Sequence, residues 1–91
     1  MKYRIYWTSA FKKDYKRIMR RGKRWELAEA ALAYLGNGLA LPERYHDHAL
    51  TGTYAGFRGF HVQPDWLIVY KIDNGALVLT LMRTGTHSDL F

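Results

Sequence analysis

The chain has 91 residues, 48% of them apolar, with three Trp, seven Tyr and four Phe, which suits one small domain with a core and argues against disorder. It has no cysteine, so a disulfide framework and a zinc–thiolate site are excluded, and no apolar run approaches the ~20 residues of a membrane span. The net charge is +6, and ten of the 14 Lys and Arg fall in residues 1–24, where Asp14 is the only acid.

That basic block reads either as a footprint for a polyanion or as a solvated helix face. The opening Met1-Lys2-Tyr3-Arg4-Ile5 lacks the apolar stretch of a secretory signal, and a reducing cytoplasm fits the absence of cysteine.

Residues 2–7 alternate basic with aromatic or aliphatic side chains, the pattern of a half-buried strand. Thr8 or Ser9 can cap the helix that follows. Phe11, Tyr15, Ile18 and Met19 form one apolar stripe of that helix, and Lys13, Arg17, Arg20 and Arg24 run down another face. Gly22 is the expected stop. A second helix is predicted over 23–36, where Ala28, Ala31, Leu32 and Leu35 repeat the spacing and Gly36-Asn37-Gly38 ends it. The short turn between the helices predicts an antiparallel hairpin. Residues 39–53 show no sustained period and read as a loop, with room for a short strand near its end.

From residue 54 the pattern is a meander. One strand is predicted over 54–62, with Gly56 and Gly59 as bulge or close-approach points. Gln63-Pro64-Asp65 is a tight turn, 66–73 a second strand, and Asn74-Gly75 the strongest hairpin signal in the chain. A third strand is predicted over 76–83, with Leu77, Leu79 and Leu81 on one side. The order predicts an α+β domain over residues 1–91: an N-terminal strand, a two-helix hairpin, then an antiparallel three-stranded meander.

The side chains suited to chemistry lie in the second half: His46, His48, His61 and His87, with Asp65, Trp66 and Arg83. Metal-free RNA cleavage uses the substrate's own 2′-OH, so it needs a base, an acid for the departing 5′-oxygen and a cation on the phosphoryl oxygens. Histidine, with an ordinary pKa of ~6.5, serves for the first two, and Arg83 offers a planar pair of donors for the third. Asp65 can accept a proton, orient a histidine or hold its tautomer. Trp66 suits the core or a base-stacking platform.

His46-x-His48 has no third ligand at diagnostic spacing, so neither metal nor cofactor is expected. The turn at 63–65 puts His61 and Asp65 at one end of the meander, and the reversal at 74–75 returns Arg83 to that end, with His87 close behind. Arg83 shares its parity with the three leucines, so it lies at a strand end on the apolar side or a bulge turns it over. His48 has no pattern-based reason to join, and His46 reads as surface.

Three segments then carry a resemblance: His48-Ala-Leu-Thr-Gly-Thr-Tyr-Ala-Gly-Phe-Arg58, His61-Val-Gln-Pro-Asp-Trp-Leu-Ile-Val-Tyr70, and Arg83-Thr-Gly-Thr-His-Ser-Asp-Leu-Phe91. Together they closely resemble the YafQ-type toxins of the RelE/ParE toxin–antitoxin superfamily, over about half the chain. The resemblance implies a RelE-like microbial RNase fold and a ribosome-dependent mRNA endoribonuclease acting in the A site without metal. It implies a cognate RelB/DinJ-like antitoxin, operator DNA bound only through that complex, and no membrane association.

On this likeness His48, His61, Asp65 and His87 match catalytic positions, with His87 the general acid and the base open among the other three. Arg83 matches the phosphate-stabilising arginine, and Trp66 and Phe91 match positions that shape the site and hold the mRNA. Lys13, Arg17, Arg20 and Arg24 become contacts to ribosomal RNA. Family toxins often carry an acid where this chain has Gly59. Two other readings share these features: a non-catalytic basic RNA- or ribosome-binding module, and a gyrase-directed ParE-like toxin.

Overall fold

The first strand lies beside the last. In the computed structural model, which describes residues 1–91, β1 (Arg4–Trp7) runs parallel to β5 (Val78–Gly85) at one edge of a five-stranded sheet. The chain then forms α1 (Ser9–Arg20), α2 (Trp25–Gly36), β2 (His48–Ala49), β3 (Arg58–Gln63) and β4 (Trp66–Asp73), and ends after β5 in the short α3 (His87–Leu90). The sheet order is β1-β5-β4-β3-β2, antiparallel except at β1.

Local chemistry sets the helix ends as expected. Thr8 Oγ1 accepts the Phe11 N–H and donates to Met82 O, so one side chain caps α1 and ties it to β5. Gly22 and Gly38 take positive φ just beyond the two helices. Phe11 and Ile18 of α1, and Ala28, Ala31, Leu32 and Leu35 of α2, are buried against Phe60, Trp66, Ile68, Tyr70, Leu79 and Leu81 of the sheet. Full burial of one such large side chain contributes about 1.5–3 kcal/mol. Trp7, Tyr15 and Trp25 pack edge-on or tilted beside Phe11, their centroids 4.9–5.3 Å apart.

Two expected strand starts shift. The strand expected from residue 54 begins at Arg58, because Gly52–Tyr54 forms a 3-10 turn and Gly56 takes φ +90°. The strand expected from residue 76 begins at Val78: Asn74–Leu77 is a turn in which Asp73 Oδ1 accepts the Ala76 N–H and Leu77 adopts φ +54°. Tyr3 donates to Asn74 Oδ1 and closes that turn against β1. The short strand allowed near the end of the 39–53 loop is β2, which pairs His48 with Gly59.

The register carries one further irregularity. Tyr70 pairs with Leu81 and Val69 with Arg83, so Met82 is an extra residue in β5. This bulge turns Arg83 away from the face of Leu79 and Leu81. It joins Val69 on the other face, where Tyr54, Leu67, Val69 and Leu90 make a second, smaller core.

Candidate active site

The sheet face opposite α1 and α2 carries the candidate chemistry in two adjacent rows. His48, Gly59, Val69 and Arg83 are successive cross-strand partners from β2 to β5. His61, Leu67 and Gly85 form the next row, with His87 just beyond it. Neighbouring strands lie ~4.8 Å apart, so the row from His48 to Arg83 spans roughly 14 Å of backbone. Histidines therefore stand on one side and Arg83 with His87 on the other, over an apolar floor. Leu50 lies on that floor across Gly59.

The histidine side is set by a loop. The rings of His48 and His61 are nearly parallel at 6.4 Å, and the His46 ring stands edge-on to His61 at 6.0 Å. His46 is exposed, as expected, yet it belongs to this cluster. Asp47 between the two loop histidines anchors them: its Oδ1 accepts the Tyr70 hydroxyl at 2.7 Å and Arg58 Nε at 3.3 Å. Burial, with the Asp47 bond second, pushes the Tyr70 phenol well above its ordinary range and keeps it a donor. A groove of about 680 Å³ opens beside His46 and His61, between α2 and the 3-10 turn that carries Arg44 and Tyr45.

The arginine side is a chain of contacts. Arg83 donates from Nε to Asp14 Oδ2 (2.6 Å), from Nη2 to Asp14 Oδ1 (3.2 Å) and from Nη1 to the Tyr54 hydroxyl (3.3 Å). The Asp14 bond raises the Arg83 pKa further, so the guanidinium stays charged. The Tyr54 ring meets Phe91 edge-on at 5.4 Å, and Phe91 lies 4.8 Å from the His87 ring. Phe91 is 54% exposed and open to a ligand. The His87 backbone N–H donates to Asp65 Oδ1 at 3.3 Å, and His61 Nδ1 faces Pro64 O at 3.3 Å. The 63–65 turn thus joins the two sides.

The tail that carries His87 is itself fixed. Thr86 and Asp89 form a reciprocal cap on α3. Arg21 at the end of α1 donates to both Asp89 oxygens, at 2.6 and 3.2 Å. The Arg21 bond, then the Thr86 N–H, hold the Asp89 carboxyl far below its ordinary range.

Most expected site residues therefore converge on one face. Trp66 is the correction. It has 0% exposure, sits in the main core, and donates its indole N–H to Thr84 Oγ1, so it reaches no ligand. Its expected hold on mRNA becomes support for β5 beneath Arg83. On α1, Lys13 and Arg20 are exposed, while Arg17 donates to Asp14 at 2.7 Å. Arg24 makes only a loose surface pair with Glu26.

Sequence reasoning passed over Asp14, Asp47, Tyr54 and Tyr70. Asp14 did leave a signal: at i+3 from Phe11 it falls on the apolar stripe, where a charge needs a buried partner.

This fold and site define a small bacterial toxin. A family described as bacterial toxin of type II toxin–antitoxin system, YafQ, matches residues 3–91, and the chain belongs to it. The chain is 38% identical over 88 residues to the mRNA interferase toxin YafQ of Escherichia coli K12, covering 96% of this chain and 94% of that one. The toxin in the E. coli DinJ–YafQ toxin–antitoxin complex superposes with a TM-score of 0.87 at 36% identity, over 100% of this chain and 99% of that one. A metal-bound toxin from Helicobacter pylori superposes with a TM-score of 0.91 at 35% identity over both whole chains. In the present chain no three His, Asp or Glu side chains are grouped so as to hold a metal ion. No helix is long and apolar enough to cross a membrane.

Proposed function

We propose that this toxin cuts mRNA in the ribosomal A site, in the cytoplasm, by attack of the message's own 2′-OH on the adjacent phosphate. The observation that carries this reading is the held Arg83 beside His87 on one side of the sheet face, with His48 and His61 on the other. A phosphodiester laid between them meets a fixed cation and acid–base groups from both directions. Arg83 takes the charge that develops on the phosphoryl oxygens. His87, on the same side, protonates the departing 5′-oxygen. The base comes from the turn-and-loop side, from His48, His61 or Asp65. The Asp65 carboxylate already takes the His87 backbone N–H, which favours a histidine for that step. Phe91, exposed beside His87, offers a flat face to a base.

The activity is that of an mRNA endoribonuclease, and its protein partner is a cognate antitoxin, as in the toxin–antitoxin complex of its E. coli relative. Lys13, Arg20 and Arg24 supply salt-dependent contact with ribosomal RNA.

Primer extension on translated messages after induction tests this reading. Cuts within codons, abolished when translation is blocked, are expected. Intact but stalled messages would support a non-catalytic ribosome binder instead, and DNA damage signalling would support action on gyrase.

A further inference from the structure

We infer that Asp14 is a positioning residue for the cleavage reaction, one that turns Arg83 from a flexible cation into a fixed phosphate clamp. The inference rests on the reading of Arg83 given above and extends it to a residue outside the three family-like segments.

Asp14 is 4% exposed, in the apolar stripe of α1. A carboxylate there is tolerated only if its lone pairs are filled. Four donors fill them: Arg83 Nε and Nη2, the Thr84 N–H at 3.1 Å, and Arg17 Nη2. The reason is topological. The last β1 residue, Trp7, pairs with Leu81, so β5 runs past it with an unpaired edge. Asp14 takes the place of the missing strand there and accepts the Thr84 N–H.

A guanidinium has five N–H groups. Asp14 takes the side-on pair of Arg83, and the Tyr54 hydroxyl takes one hydrogen of Nη1. One N–H is left on each terminal nitrogen, which is the pair that two phosphate oxygens need. Arg83 keeps 27% of its side chain exposed, so it is not sealed in the core. The arginine is therefore held on three points before substrate arrives, and no rotamer freedom is lost on binding.

Charge works in the same direction. Arg17 and Arg83 both donate to Asp14 Oδ1, so two cations share one anion and leave a net positive charge at the site. Arg17 Nε is buried without a partner.

The test is a double-mutant cycle on the whole toxin, with single-turnover cutting of a reporter message on ribosomes. Asp14→Asn keeps the size but loses the charge and one acceptor. It should cut on the order of 10- to 100-fold more slowly at saturating toxin, with the half-saturating concentration little changed. In an Arg83→Ala background the same substitution should cost nothing further, because Asp14 acts through Arg83. If Asp14→Asn does not fold, Asp14→Glu replaces it in the cycle; its displaced carboxylate should slow cutting in the Arg83 protein only.

A folded Asp14 variant that cuts at the parental rate, or one that loses the same factor with and without Arg83, would overturn the inference while leaving the proposed function intact. Unimpaired cutting by Arg83→Ala would instead remove the reading on which both rest.

Discussion

Leu50 lies directly over Gly59: a Cβ at Gly59 would stand 3.1 and 3.2 Å from the two Leu50 methyls. The space that a side chain at 59 would need is already filled from the loop, and the floor beneath the histidines is apolar. Gly59→Asp should therefore destabilise the fold by about 1–3 kcal/mol, since it crowds Leu50. Leu50→Ala in the same chain should recover part of that loss. Urea unfolding of the two single variants and the double variant measures the coupling, and equal costs with and without Leu50 would refute the packing account.

Arg83→Ala and His87→Ala should each abolish growth arrest and slow cutting by at least about 10²-fold. Circular dichroism should show both folded. Full toxicity in both variants would mean that the chemistry lies elsewhere.

Trp66→Phe keeps an aromatic ring but loses half of the indole and the bond to Thr84 Oγ1, at a cost of about 1 kcal/mol for the bond plus that of the space left in the core. Cutting should continue near the parental rate wherever the protein stays folded. A 100-fold slower enzyme of unchanged stability would put Trp66 against the message after all.

Removing the exposed charges of Lys13, Arg20 or Arg24 should weaken ribosome binding modestly. The slope of log affinity against log salt should fall by about one for each phosphate that is no longer neutralised. Filter binding between about 50 and 200 mM salt covers a suitable range. An unchanged slope in all three variants would place this basic surface away from the RNA.

Asp89 gives the fold an acid limb. Its carboxyl is held below the ordinary range by Arg21 and Thr86, so the unfolded chain takes up its proton first as pH falls. That stabilisation is complete above the unfolded value of ~3.9 and is lost as pH drops below it. Melting temperatures from pH 6 to pH 2 should fall less steeply for Asp89→Asn than for the parent. Parallel curves would show that the Arg21 pair adds nothing, as some exposed pairs do.

Much of the fold was legible because its signals are local. The spacing of Phe11, Tyr15 and Ile18, the glycines at 22, 36 and 38, and the Pro64 turn each fix their own segment. Other positions escape local reading. Leu77 reads as a strand residue by parity, but the Asp73 side chain closes a longer turn around it. Arg83 offers two readings by parity, and only pairing with Val69 decides for the bulge. His48 has no periodic reason to meet His61; two residues of β2 bring it there.

What the sequence by itself determined is the set of elements, the α+β class and the identity of the reactive side chains, because periodicity, caps and residue chemistry act within a few residues. Its family-like segments also pointed to a toxin. Only the tertiary structure decided that β1 lies against β5, that Trp66 is core, and that Asp14 reaches across 69 positions to hold Arg83. Strand pairing and charge burial are settled between distant segments, where the cost of an unpaired buried group selects the partner and no local pattern names it.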